Sequence, residues 1–163
     1  MYWEAPDSLK IKEGKMVEHF KFSINVKPRF SEEYLYSGVV DITRWTVTWC
    51  QEAYVAYGRE MGIFPGPHYP SNISDPQWKI EIALQSGLLV VEEAKVYMRI
   101  KRLGRSSSDQ EYLITEAKTE RPIATVTMTR VHMDIETGRS VPWPDEIKQK
   151  IIAIEGKENV EVA

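Results

Sequence analysis

The sequence predicts an α+β protein in which an antiparallel sheet curls around one long buried helix, and three observations carry that prediction. The segment Val39 to Gly62 repeats apolar residues at spacings of three and four. At least four later segments alternate apolar with polar residues over long stretches. The Gly- and Ser-rich turn at 104–108 joins two of them as a hairpin.

Taken in order, Phe22, Ile24, Val26, Pro28 and Phe30 alternate with Ser23, Asn25, Lys27 and Arg29, the period of a half-buried strand. Pro28 lacks a donor for a ladder bond and places this strand at an edge. After the loop Ser31 to Gly38 comes the helix, with Ile42, Trp45, Trp49, Ala53 and Ala56 on one face and Val47, Cys50, Tyr54 and Tyr57 on another. A helix apolar over so much of its circumference belongs in the interior. Gly62 to Pro67 ends it. Trp78, Ile80, Ile82 and Leu84 then mark one strand, and Ala94, Val96, Met98 and Ile100 a second. A turn at 104–108 leads to a partner at about 109–118, and Ala124, Val126 and Met128 mark a fourth strand reaching His132. A short helix at 144–155 closes the chain. Strands of about a dozen residues reach roughly 40 Å, so the sheet must bend around the helix.

Length and composition set the frame. With 163 residues the chain fits one domain, 1–163, with 1–18 as an N-terminal extension. Its 42% hydrophobic and 28% charged residues exclude disordered and disulfide-scaffold classes. A single cysteine, Cys50, forms no internal bridge and suits a reducing compartment. A net charge of −3 gives no general attraction to nucleic acid or an anionic membrane. Neither a secretory signal nor a membrane span is visible, so a cytoplasmic protein is expected.

The segments VKPRFSEEYLYSGVVDITRWTVTWCQEA, RLGRSSSDQEYLI and TVTMTRVHMDIETGRSVPWP, with the alternating strands between them, carry a family likeness. From about His19 to Ile154 the chain resembles the hotdog-fold acyl-CoA thioesterases of the 4-hydroxybenzoyl-CoA thioesterase type. That resemblance implies an acyl-CoA or acyl-carrier-protein thioester as substrate. It also implies a homodimer or homotetramer with active sites between subunits.

Such chemistry needs a carboxylate to attack the thioester carbonyl or activate water, and N–H donors where charge develops on the carbonyl oxygen. The helix entry Gly38-Val39-Val40-Asp41 matches the family's and presents free backbone donors with a partial positive charge. The family's loop aspartate is replaced: Tyr34 or Leu35 stands nearest its position. Two carboxylates remain nearby. Glu33 is either the base or a solvated loop side chain; Asp41 is either the base or a helix N-cap. Arg44, one turn into the helix, is a third candidate, because some polyketide-pathway relatives rely on a helical arginine. It is otherwise an ion-pair partner for Glu32 or Glu33.

Lys101, Arg102, Gly104, Arg105, Ser106 and Ser107 form a basic, hydroxyl-rich turn suited to the phosphates of coenzyme A, or simply a charged hairpin end. Trp45, with Trp49, Tyr34, Tyr36 and Trp78, lines an acyl pocket or belongs to the core. The Phe64-Pro65-Gly66-Pro67-His68 run follows the helix and lacks the histidine of the hotdog dehydratase motif. His19, His68, His132 and Cys50 show no metal-ligand spacing, so neither metal nor cofactor is expected. A non-catalytic module that binds acyl-CoA or acyl carrier protein is the alternative function.

Overall fold

The computed structural model of the chain describes residues 17–28, 42–64, 69–85 and 92–163. In chain order its elements are β1 (Phe22–Val26), α1 (Ile42–Glu60), β2 (Ile73–Ser74), β3 (Gln77–Leu84), β4 (Ala94–Leu103) and β5 (Ser107–Glu116). There follow β6 (Pro122–Val131), β7 (Met133–Asp134), β8 (Arg139–Ser140), α2 (Asp145–Glu155) and β9 (Glu161–Val162). The main sheet has the order β1-β4-β5-β6-β3, with β9 added to β4, and β2, β7 and β8 form a small second sheet. All main-sheet pairings are antiparallel except β4 with β9.

The alternation read from the sequence decides which face is buried. Ala94, Val96, Met98 and Ile100 of β4, with Tyr112 and Ile114 of β5 and Ala124, Val126 and Met128 of β6, turn inward and are almost wholly buried. They meet Trp49, Cys50, Ala53 and Tyr57, which recur along one side of α1. Burial raises the Cys50 thiol far above its usual range, leaving a core side chain and no reactive thiol. At 19 residues α1 is about 28 Å long, and ten-residue strands run about 33 Å, so helix and sheet match in length.

Several details depart from the sequence reading. The fifth strand begins at Ser107 and not at 109, because Gly104 N–H already donates to the Ser107 carbonyl and closes the turn early. The short strands β2, β7, β8 and β9 carry too few residues for a period to show. Pro28 follows β1, which is an edge strand as expected. The outer sheet face is partly covered: Phe20 packs on Tyr97, with ring centroids 6.0 Å apart, and the Arg99 guanidinium lies over the Phe20 ring.

The end of α1 has a clear local cause. Gly62 is left-handed at φ 63°, Ile63 N–H donates to the Gly58 carbonyl and Gly62 N–H to the Arg59 carbonyl, a Schellman closure. Buried Ile63 supplies its apolar contact. Among the described residues no helix is long and apolar enough to cross a membrane.

Candidate active site

Five of the residues singled out for chemistry, Glu33, Gly38, Val39, Val40 and Asp41, lie outside the described residues. So do Tyr34, Tyr36 and His68. Of the helix candidates, Arg44 is exposed in the first turn of α1, where its carbonyl accepts from Thr48 Oγ1 at 3.2 Å. Trp45 is half-buried and stacks on fully buried Trp49 with ring centroids 6.1 Å apart.

The basic turn is resolved in detail. Lys101 sits at a bulge in β4 and pairs with Glu111 at 2.9 Å. Arg102 reaches Asp109 at 3.4 Å and Glu161 of β9 at 3.8 Å. Burial pushes the Glu111 carboxyl up, but the bonds from Lys101 and Arg99 outweigh this and hold it below the usual range. Lys101 and Arg102 therefore stand across from carboxylates, in an outer-face groove of about 360 Å³. Arg105 is exposed. The turn's carbonyls are tied down: that of Arg105 accepts from Trp143 N–H, that of Ser106 from His132 N–H, and that of Ser107 from the Trp143 indole at 3.1 Å.

A buried polar cluster lies beside α1, and no local pattern announces it. Asp75, just before β3, accepts from the Tyr54 hydroxyl at 2.6 Å and the Tyr69 hydroxyl at 2.8 Å, both at Oδ2. His132 Nδ1 stands 2.7 Å from Asp75 Oδ1, a geometry satisfied when Nδ1 carries the proton. The His132 ring is stacked on Trp143 at 4.2 Å. Arg130 of β6 lies 4.0 Å over the Tyr54 ring and donates to the Asp75 carbonyl, Gln51 Oε1 and Gln110 Oε1. Burial first, then the Asp75 carboxylate, keeps the Tyr54 and Tyr69 hydroxyls well above the usual phenol range. They remain protonated donors. A cavity of about 380 Å³ opens beside this cluster along the second half of α1. The residues come from five separate segments, so only the folded chain assembles them. Among the described residues no group of three His, Cys, Asp or Glu side chains is placed to hold a metal ion.

A curled antiparallel sheet with one long helix in its grip is the hotdog fold, and solved structures share it. A thioesterase from Thermus thermophilus, crystallised with coenzyme A and Zn, is 24% identical with a TM-score of 0.65, over 85% of this chain and 98% of that one. The DHNA-CoA thioesterase from Staphylococcus aureus is 17% identical with a TM-score of 0.68, over 86% and 96%. A 1,4-dihydroxy-2-naphthoyl-CoA thioesterase from Synechocystis is 14% identical with a TM-score of 0.64, over 80% and 96%. No curated protein matches the chain. The thioesterase-like superfamily model matches residues 36–151, and the chain belongs to that superfamily.

Proposed function

We propose that the protein hydrolyses an acyl-CoA or acyl-carrier-protein thioester to the free acid and thiol, in the manner of the 4-hydroxybenzoyl-CoA thioesterase type. The observation that carries this reading is the superfamily match over residues 36–151, which takes in the helix entry, α1 and the whole of β3 to β6. In this reading Glu33 or Asp41 attacks the thioester carbonyl or takes a proton from water. The free N–H groups at the Gly38-Val39-Val40 helix entry hold the developing oxyanion. Arg44 orients water or an oxygen of the acyl group. The turn at Gly104, Arg105, Ser106 and Ser107 meets the coenzyme A phosphates, with Arg105 as the basic side chain for which no carboxylate partner is described. Lys101 and Arg102 contribute to the same field through their paired positions. The subunits form a homodimer or homotetramer in the cytoplasm, and neither cofactor nor metal takes part.

Release of free thiol from short, long and aromatic acyl-CoAs by the purified protein tests the reading. Hydrolysis of at least one class supports it. A rise in melting temperature with acyl-CoA but no thiol release would establish the non-catalytic binding module, for which the replacement of the family aspartate by Leu35 or Tyr34 speaks.

A further inference from the structure

The geometry points to the cavity beside Asp75 as a binding site for a small organic carboxylate, with Arg130 at its floor and Arg59 at its rim. Tyr54 and Tyr69 have committed their hydroxyl protons to Asp75, and His132 meets the other carboxylate oxygen, so the negative charge of Asp75 is already surrounded by donors. Arg130 carries five N–H donors, and its bonds to the Asp75 carbonyl, Gln51 and Gln110 engage three of them. All three acceptors are neutral oxygens. Tyr112 also lies within hydrogen-bond reach of the guanidinium, so among the described residues at least one guanidinium proton is left on a side chain only 2% exposed that lines the cavity.

Gln51 points the same way. Its Oε1 accepts from both Arg130 and Gln77, which leaves its NH₂ group as a donor at the cavity wall. Ser74 adds a hydroxyl, and Arg59, in the last turn of α1, adds an exposed second cation. Donors thus converge where acceptors are already spent, and the complementary ligand is rich in acceptors and negatively charged. The remaining walls, Val55, Phe64 and Ile73, are apolar and suit a short chain or a ring. The volume of about 380 Å³ lies at the small end of ligand pockets, which run from roughly 300 to 1,000 Å³. The site lies along the second half of α1, removed in sequence from the helix entry, and its binding does not depend on thioester hydrolysis.

Isothermal titration of the full chain with phenylacetate and with its neutral analogue phenylacetamide tests the assignment. The carboxylate should bind about tenfold or more tightly than the amide. Arg59→Gln, at an exposed position, should weaken phenylacetate several-fold and leave phenylacetamide unchanged. Arg130→Met should abolish the preference for the carboxylate; should that buried variant not fold, Arg59→Gln and Ser74→Ala decide. Equal affinity for acid and amide, no binding of phenylacetate at millimolar concentration, or an unchanged phenylacetate affinity in Arg59→Gln would each overturn it.

Discussion

Asp75 shows at the scale of one residue how a buried charge is held. A carboxylate removed from water costs several kcal/mol unless its lone pairs are met, and here two tyrosines and a histidine meet them. Tyr54→Phe removes one of these donors but keeps the ring beneath Arg130. It should cost about 1.5–3 kcal/mol, read as a fall in Tm of roughly 3–12 °C for a chain of this size. An unchanged Tm would mean that the hydroxyl bond contributes nothing net. The proposed chemistry is tested at the same scale. If Glu33 is the base, Glu33→Gln should lower kcat by a factor on the order of 10² or more with KM little changed. Asp41→Asn should be milder, since asparagine caps a helix about as well as aspartate. Normal kcat in both, with loss in Arg44→Met, would transfer the role to the arginine.

Among elements, α2 shows how a short helix is anchored. Trp143, Ile147 and Ile151 lie buried in a row at four-residue spacing, and the next position in that row is a carboxylate, Glu155. Its place is explained by the edge of β4, where β1 pairs with residues 94–98 and β9 with 102–103. Between them Ile100 N–H donates to Glu155 Oε1 at 2.9 Å, and the Tyr57 hydroxyl does so at 2.8 Å. Burial raises the Glu155 carboxyl above its ordinary value, outweighing these bonds and the charges of Arg99 and Lys21. A carboxyl raised in the folded state favours folding most when protonated. Its contribution is therefore full below the unfolded value of 4.5 and declines as pH rises toward the folded value. Glu155→Gln removes this titration. Relative to that variant, the wild-type Tm should fall as pH increases from 4.5 and then level off. A difference constant across that range would show that Glu155 does not titrate with folding.

At the scale of the whole molecule the exposed edge is decisive. Strand β3 ends the sheet, Trp78 is 75% exposed at a register shift, and Leu84 is 40% exposed. Trp78 and Leu84 belong to the apolar row that the sequence marks as a buried face, yet among the described residues both stand exposed. Unpaired ladder groups beside bare apolar side chains favour association, and the proposed homo-oligomer joins here. Trp78→Lys should shift the species seen in sedimentation from oligomer to an 18.9 kDa monomer while preserving the far-UV circular dichroism. A wild-type protein that sediments as a monomer when concentrated would refute the assembly.

The sequence by itself determined the class of fold, the long helix with its stop at Gly62, and the buried side of β4 and β6. These follow from periods of 3.6 and 2 and from one glycine, all of which act between near neighbours along the chain. The candidate chemistry at Glu33, Asp41 or Arg44 comes from the family resemblance and not from a period. Tertiary structure alone decided that Lys101 and Arg102 stand opposite Glu111, Asp109 and Glu161, which a basic run does not reveal. It alone brought Tyr54, Tyr69, Asp75, Arg130 and His132 to one buried point and placed Glu155 on Ile100. The physical reason is range. Helix and strand periods are written in adjacent side chains, whereas a buried charge finds its partners only when distant segments close over it and exclude water.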